Sequence, residues 1–217
     1  MATPQILISE TRPEHCAALG DLQRLVFPTL TDDELFTAAK YQKHLELFPE
    51  GQFVALAIVA GREIPVGATS TYRTHFDFDH IEGHSFVEAI ANGWLTNHVP
   101  DGDWLYGADV SVHPDYRRLG IASRLYDARR ALVKRLNLRG EIAGGMLPGY
   151  DSYRAQYTID QYVKAVARGE VKDPTLTAQL RNGFEARAVL YNYITDPRSD
   201  NHATLIVRAN PEYQPPR

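Results

Sequence analysis

Cysteine is almost missing from the sequence: Cys16 is the only one among 217 residues, so the chain cannot form an internal disulfide. No apolar run approaches the roughly 18 residues of a membrane-spanning helix. The N-terminus also lacks a basic segment followed by an apolar stretch, and we therefore expect no signal peptide. Hydrophobic residues make up 44% and charged residues 23% of the chain, which is the balance of an ordinary globular domain. We expect a cytoplasmic protein without membrane association.

The formal net charge of −4 weighs against a general nucleic-acid binder. The positive charges are concentrated between Asp115 and Arg139, where eight basic residues stand against two acidic ones, a local net charge of +6. A basic block in an acidic chain indicates a site for a small anion. A solvated helix face is the other interpretation of the same residues.

Apolar periodicity and turn residues predict an α/β (α+β) domain with a central, mixed but mostly antiparallel sheet of about seven strands flanked by helices. Strands are predicted at residues 6–9, 53–60, 64–72, 104–112, 140–146, 184–194 and 203–208. Helices are predicted at residues 32–47, with Thr31 as N-cap, and at 121–136, 159–168 and 176–180. No repeat or linker divides the chain, so we expect one domain over residues 1–210 and a flexible tail over 211–217.

The most informative segment joins the strand that ends at Val112 to the helix that begins near Gly120. Pro114 stops the strand, and a short loop containing Arg117 leads into the helix. The first turn of a helix has free backbone N–H groups and the positive end of the helix dipole. Gly120 has no side chain to block a phosphate there, and Ala122 is nearly as small. The segment therefore predicts a pyrophosphate-binding loop.

The spacing matches neither of the two common glycine-rich phosphate loops, GxxxxGK[ST] and GxGxxG. It matches R-x-x-G-x-A after an apolar strand and V-x-P, and here the chain resembles the GNAT superfamily of N-acyltransferases. The residues that carry the match are Val110, Val112, Pro114, Arg117, Gly120 and Ala122. The resemblance implies a GNAT-like single domain that uses acetyl-CoA as cosubstrate and no metal.

The resemblance also implies where the cosubstrate lies. Backbone groups at the end of the strand are expected to pair with the pantetheine arm, which points to Val110, Ser111 and Val112. Backbone amides of the following loop are expected to hold the pyrophosphate, which points to Arg117, Arg118, Leu119, Gly120, Ile121, Ala122 and Ser123.

The second half of the chain resembles a branch of this superfamily whose members are often fused to a nitrilase-type carbon–nitrogen hydrolase. The matching stretches are residues 144–150 (GGMLPGY), 161–163 (QYV), 173–176 (DPTL) and 179–184 (QLRNGF). The two matches together run from about residue 104 to 193. The sequence contains no hydrolase domain, so the resemblance implies a copy that stands alone.

Acyl transfer from a thioester to an amine requires a proton acceptor for the amine and a stabilised tetrahedral oxyanion. Asp109 is the first candidate base, because it lies on the strand that should hold the cosubstrate. Glu141, on the neighbouring strand, is the second candidate. For both carboxylates the structural alternative is an ion pair with an arginine.

The thiolate can also be protonated as it leaves, and many GNAT enzymes use a tyrosine four residues before a Gly-Phe pair. The pair is present at 183–184, but the position four residues earlier is Gln179. Tyr150 is the best-placed substitute, with Tyr153 and Tyr157 as further choices and unaided departure of the thiolate as another. Packing alone is the alternative role of Tyr150.

A polar stretch after the third predicted strand contains His75, Asp77, Asp79, His80 and His84. Their spacing matches no compact metal site, and we expect a polar loop that lines the acceptor pocket or lies on the surface.

The residues and the resemblance together predict a GNAT-type N-acetyltransferase that transfers the acetyl group of acetyl-CoA directly, through a tetrahedral intermediate, to a primary amine of a small molecule or a peptide. A homodimer is a further expectation, since such domains often dimerise. Two alternatives stay open: a catalytically inactive acyl-CoA-binding regulatory or interaction module, and a nucleotide-binding protein of another class.

Overall fold

A computed structural model of the protein describes residues 4–81 and 85–215. These residues form nine strands and six α-helices, together with short 3-10 turns. The strands are β1 (Gln5–Glu10), β2 (Phe53–Val59), β3 (Arg62–Thr69), β4 (Thr71–Thr74), β5 (Trp104–Gly107), β6 (Ser111–Val112), β7 (Gly140–Met146), β8 (Glu185–Leu190) and β9 (Ala203–Ala209). The helices are α1 (Cys16–Val26), α2 (Ala38–Leu47), α3 (Phe86–Ala89), α4 (Ile121–Arg135), α5 (Ile159–Ala167) and α6 (Leu176–Arg181).

The strands form two sheets rather than one. The first has the order β1-β2-β3-β6, and the second has the order β4-β5-β7-β9-β8. Among the strand pairs of the described residues, only β5–β7 is parallel. The mixed, mostly antiparallel α/β class is confirmed, whereas the expectation of about seven strands in one sheet is corrected to nine strands in two.

The division into two sheets arises because two predicted strands, 64–72 and 104–112, are both interrupted. The first is interrupted at Ser70 and the second between β5 and β6. The two interruptions are tied together, since Ala108 N donates to Ser70 O at 2.9 Å. In return, Ser70 N donates to Asp109 Oδ1 at 2.6 Å. The chain thus crosses from one sheet to the other twice at the same place.

These crossings open a gap between the sheets. β5 pairs with β7 only as far as the Tyr106–Ile142 pair. The chain then moves to the other sheet, where β6 pairs with β3. Among the described residues, the edge of β7 beyond Ile142 consequently has no partner strand on this side, and its residues Ala143, Gly144 and Met146 line a pocket together with residues 107–110. The candidate functional site lies at this gap.

Helix α4 packs its apolar stripe against the sheets, as its periodicity predicts. Ile121, Leu125 and Leu132 are at most 2% exposed and join the core around β2 and β3. The predicted bounds, 121–136, are confirmed to within one residue. This packing fixes the direction of the first turn of α4, on which the predicted anion site depends.

Helix α2 begins later than predicted. The side chain of Thr37, not that of Thr31, accepts from Lys40 N and caps the helix. Thr31 and Glu34 do pair as a capping box would, with Thr31 N donating to Glu34 Oε2 at 2.8 Å, but they close an isolated turn. The other oxygen of Glu34 accepts from Thr195 N, a contact across the fold that no local pattern reveals.

The C-terminal residues up to 215 lie beside the end of α4. Glu212 pairs with Lys134, and Asn137 Nδ2 donates to Gln214 O at 2.7 Å. The division into a domain over residues 1–210 and a flexible tail over 211–217 stays a prediction, and residues 216 and 217 lie outside the described part. No helix in the described ranges combines the length and the hydropathy needed to cross a bilayer.

Candidate functional site

The loop before α4 has the backbone shape of an anion-binding turn. Pro114–Tyr116 forms a 3-10 turn, after which Arg118 and Gly120 both adopt left-handed conformations, with φ of 65° and 75°. A Cβ added at Gly120 would meet no heavy atom within 4 Å. The space above the first turn of α4 is therefore open, and glycine suits both the backbone angle and the close approach of a ligand.

The backbone amides of this loop are free to bind. Arg117 N donates to Pro114 O at 3.3 Å, and the next bonded amide is that of Arg124, which donates to Gly120 O at 3.1 Å. Within residues 4–81 and 85–215, no oxygen accepts from the six amides between Arg118 and Ser123. Six donors without an acceptor, at the positive end of a 15-residue helix, fit a pyrophosphate group.

The side chains around these amides are exposed and carry positive charge. Arg117 and Arg118 both face solvent, and Arg117 Nε donates weakly to Val112 O at 3.4 Å. Leu119 is 38% exposed, and Ser123 is also exposed. Ile121 is 2% exposed and packs in the core, so its side chain does not contribute to the loop surface. The predicted loop is therefore an open cationic surface, with Ala122 adding little bulk.

The three strand residues predicted beside the pantetheine arm differ in their backbone pairing. Ser111 and Val112 pair with β3 on one side, opposite Ala68 and Gly67. Neither the N–H nor the C=O of Val110 has a backbone partner in the described part of the chain. The side chains of Val110 and Val112 pack against the core around α4. Val110 is thus the residue whose backbone is most available at the gap.

Asp109 lies in the interruption between β5 and β6, at the edge of the gap. Its Oδ1 accepts from Ser70 N, and its Oδ2 accepts from Gln23 Nε2, both at 2.6 Å. Burial raises the pKa of Asp109 from 3.8 to about 7, against the opposing effects of these hydrogen bonds and of the Arg129 charge. No arginine of the described residues lies within 4 Å of its carboxylate. A carboxyl group with such a pKa suits a general base near neutral pH.

The raised pKa of Asp109 predicts a specific dependence of stability on pH. The folded state holds the proton up to about pH 7, whereas the unfolded chain releases it near pH 3.8. The contribution of this group to stability is therefore present below about pH 4, is lost as the pH rises to about 7, and is constant above. We expect the free energy of unfolding of the wild type to fall by up to about 4 kcal/mol relative to that of Asp109→Asn over this range. Urea unfolding of both proteins across this range measures the difference, and a difference independent of pH would contradict the assignment.

Glu141 and Tyr150 do not join Asp109 at the gap. Glu141 is 1% exposed, and its carboxylate contacts Arg208 and lies 2.9 Å from Arg129 Nε. Two guanidinium groups thus contact this carboxylate. Glu141 therefore forms the ion pair that was the structural alternative to a role as base. Tyr150 is buried, and its hydroxyl donates to Tyr157 O at 3.1 Å. Neither lines the pocket that Asp109 lines.

That pocket opens between α1, the interruption after β5 and the free edge of β7, with a volume of about 630 Å³ including its mouth. Its apolar lining includes Phe27, Leu30, Phe36, Phe86, Met146 and Ile194. Its polar lining includes Gln23, Glu34, Asp109, Tyr126, Arg129, Thr175 and Gln179. An apolar pocket with a few polar groups converging on it is typical of a small-molecule site.

Sequence reasoning did not identify Gln23, Tyr126 and Arg129 as residues of this pocket. A signal existed for Arg129, because it lies four residues after Leu125 on the buried stripe of α4 and is itself 1% exposed. A charged residue on an apolar stripe is uncommon without a partner or a function. Gln179, which stands where a tyrosine was sought, does lie in the pocket wall.

The polar stretch after β4 does not gather into a cluster of metal ligands. His75 Nδ1 lies 3.1 Å from Asp103 Oδ1, and His80 Nδ1 lies 2.7 Å from Asp77 Oδ2. Among the residues whose placement is described, no three His, Cys, Asp or Glu side chains converge. His84 lies outside the described residues.

Comparison with known proteins identifies relatives of this chain. The sequence profile described as Acetyltransferase (GNAT) family matches residues 17–143, more than half of the chain. Uncharacterized N-acetyltransferase YkwB of Bacillus subtilis is 32% identical over 201 residues, covering 89% of this chain and 87% of that protein.

A second relative, Probable hydrolase YhcX of Bacillus subtilis, is 40% identical over 196 residues. The match covers 90% of this chain but only 37% of that protein, so the chain spans little more than a third of this relative's length. Among solved structures, the GphF GNAT-like decarboxylase in complex with isobutyryl-CoA superposes with a TM-score of 0.77 at 22% identity, covering 94% of this chain and 98% of that one. This likeness confirms the fold.

Proposed function

The chain belongs to the GNAT acetyltransferase family, and from this premise we propose that it transfers an acetyl group from acetyl-CoA to a primary amine of a small molecule or peptide. The observation that supports the proposal most is the row of six free amides between Arg118 and Ser123, under the open space at Gly120. That row suits the diphosphate of CoA, whose thioester supplies an activated acyl group.

We assign the other residues of the gap by what they contact. Val110 offers an unpaired backbone N–H and C=O to the pantetheine arm, and Ser111 and Val112 continue that edge. Asp109 accepts the proton that the acceptor nitrogen loses, because its pKa of about 7 lets it hold a proton and release it near neutrality. Gln23 keeps the carboxylate in place through its 2.6 Å hydrogen bond.

No tyrosine is assigned as the acid. Gln179 occupies the pocket wall where the sequence pattern of the family often has one, and its amide is not an acid. The hydroxyl of Tyr150 is engaged by Tyr157 O, and this residue lies outside the pocket. We propose that the thiolate leaves without a proton from either position.

Release of CoA from acetyl-CoA in the presence of a panel of amines tests the function. We expect thiol release that saturates with acetyl-CoA and depends on the amine, with the reaction lacking amine as control. Saturable binding of acetyl-CoA without turnover of any acceptor would instead support the inactive CoA-binding module.

The same protein distinguishes CoA from other nucleotides in a thermal-shift assay. Free ligand at about 100 times its dissociation constant stabilises the folded state by about 2.7 kcal/mol, which is a readily measured shift. We expect such a shift with CoA and none with ATP or NAD at the same concentration. Stabilisation by ATP or NAD but not by CoA would support a nucleotide-binding protein of another class.

Membership of the family also supports proposals about the protein's cellular location, its binding partners and its branch of the family. We propose a cytoplasmic enzyme that binds neither nucleic acid nor membrane and forms a homodimer. We also propose that it stands close to the branch fused to carbon–nitrogen hydrolases. The 40% identity to a protein named as a probable hydrolase, of which this chain covers 37%, supports that relationship.

A further inference from the structure

A buried group of three charges lies between α4 and the second sheet. Arg129 and Glu141 are each 1% exposed, and the side chain of Arg208 is 10% exposed. Glu141 contacts both arginines, so the group carries one more positive than negative charge. An unbalanced charge is costly to bury, and proteins usually supply it with a partner.

Within this group, Arg129 is the arginine that has an N–H donor without an acceptor in the described part of the chain. Arg208 donates to Asn182 O and to Tyr126 O besides its contact with Glu141. Arg129 faces Glu141 with Nε only, and its buried Nη2 donates to no acceptor in the described ranges. The ring of Tyr126 lies 5.3 Å from the Arg129 guanidinium carbon and fixes its plane.

The guanidinium of Arg129 lies beside Gly107, the last residue of β5, two residues before Asp109. A Cβ added at Gly107 would come within 1.9 Å of Arg129 Nη2, so the guanidinium fills the space of a missing side chain there. Arg129, Gly107 and Asp109 all line the same pocket. No ion pair within 4 Å joins Arg129 to Asp109 among the described residues. Arg129 therefore acts on the pKa of Asp109 through its charge but forms no ion pair with it.

The pocket thus has the Asp109 carboxylate at one point and, at another, the Arg129 guanidinium, whose Nη2 has no acceptor in the described residues. Apolar side chains such as Phe27, Phe86 and Ile194 lie around them. A molecule with a primary amine, a carboxylate and an apolar side chain has the complementary groups. Arginine is well suited to a carboxylate, because it offers two parallel N–H donors.

Resting on the proposed function, we infer that Arg129 binds a carboxylate carried by the substrate, and that the acceptor is an α-amino acid with an apolar side chain. A carboxylate at the far end of a dicarboxylic acyl group would present the same chemistry to Arg129. The two sources differ in which substrate carries the charge, and they can be tested separately.

The acceptor arm compares leucine, leucinamide and 3-methylbutylamine as acceptors with acetyl-CoA. We expect kcat/KM for leucine to exceed that for leucinamide about 10- to 100-fold, the effect of one charge-assisted hydrogen-bonded pair. In Arg129→Met the ratio of kcat/KM for leucine to kcat/KM for leucinamide should fall to about one, through a higher KM for leucine. Loss of the Arg129 charge also acts on Asp109, and this effect is common to both acceptors and cancels in the ratio. Glu141 keeps Arg208 as partner in this variant.

The donor arm compares succinyl-CoA with butyryl-CoA at a fixed amine. A preference for succinyl-CoA that Arg129→Met removes assigns the carboxylate to the acyl group and overturns the amino-acid acceptor. Gly107→Ala serves as a second variant, since it keeps the charge but displaces the guanidinium, and we expect it to lose the same preference. Preferences that persist in both folded variants, or no preference in either arm of an active enzyme, would overturn the role of Arg129.

Calorimetric titration of leucine into the CoA-saturated protein separates this inference from the proposed function. Leucine binding that Arg129→Met abolishes, in a protein without turnover, would sustain the carboxylate site and refute the transferase assignment. An active enzyme that neither binds leucine nor discriminates between leucine and leucinamide would refute the site alone.

Discussion

Replacing Gly120 with aspartate should weaken the binding of acetyl-CoA at least about 100-fold, a loss of about 2.7 kcal/mol of binding free energy. The side chain would enter the open space above the first turn of α4, beside the amides of Arg118 to Ser123, which have no acceptor in the described residues. Its carboxylate would take the place of the diphosphate and would also repel it. Isothermal titration with CoA and acetyl-CoA measures the loss.

The chain offers a matched control for this substitution. Gly169 has φ of 76°, against 75° for Gly120, and a Cβ added there also meets nothing within 4 Å. Gly169→Asp therefore introduces the same charge and a similar backbone strain, of about 1 kcal/mol, after the end of α5 instead of at the loop. We expect it to leave CoA affinity unchanged. A folded Gly120→Asp protein that binds acetyl-CoA as the wild type does would remove the loop from the site.

Asp109→Asn should lower kcat by about 10²- to 10⁴-fold, the usual contribution of a general base, while the dissociation constant of acetyl-CoA changes less than about threefold. Asparagine keeps the shape of the side chain and an oxygen for Ser70 N, so the crossing between the sheets can persist. It cannot accept the amine proton. Steady-state kinetics with saturating acetyl-CoA and amine, together with the titration above, separates turnover from binding.

The pH dependence of this reaction gives a sharper readout. With a pKa of about 7, Asp109 must be ionised to act, so its ionisation should add a rise in the kcat/KM of the wild type that is complete above about pH 7. The amine itself, with a pKa near ~10, adds a separate rise at higher pH. The lower rise should be absent in Asp109→Asn and present in Asp115→Asn, whose acid is exposed beside the loop. Equal turnover in wild type and Asp109→Asn would show that another group accepts the proton.

The strand–loop–helix backbone of the proposed anion site could be predicted because its determinants are local. A strand, a proline, a basic turn, a glycine and an amphipathic helix follow one another within about 25 residues, and each acts on its neighbours through backbone geometry. The predicted bounds of α4 and α5 agree with the structure to within about one residue for the same reason. The placement of cosubstrate on this loop stays a prediction.

The gap between the sheets could not be predicted, because long-range contacts create it. Residues 64–72 and 104–112 each read as one continuous strand, and nothing local marks Ser70 or residues 108–110 as interruptions. Each interruption is bonded to the other, across some 39 residues of sequence. The same holds for Glu141, whose arginine partners come from α4 and β9. Strand periodicity therefore located the candidate carboxylates without revealing which of them reaches the pocket.

The crossing at Asp109 restricts how the site can be redesigned. One carboxylate fastens the junction of the two sheets through the Ser70 amide and, on our assignment, takes the proton in every catalytic cycle. Moving the reactive carboxylate elsewhere in the pocket would remove the acceptor of the Ser70 amide, and another residue would have to replace that hydrogen bond. A variant that accepts a different substrate is consequently better made by substituting the apolar residues that line the pocket, because these substitutions leave the Asp109–Ser70 hydrogen bond between the sheets in place.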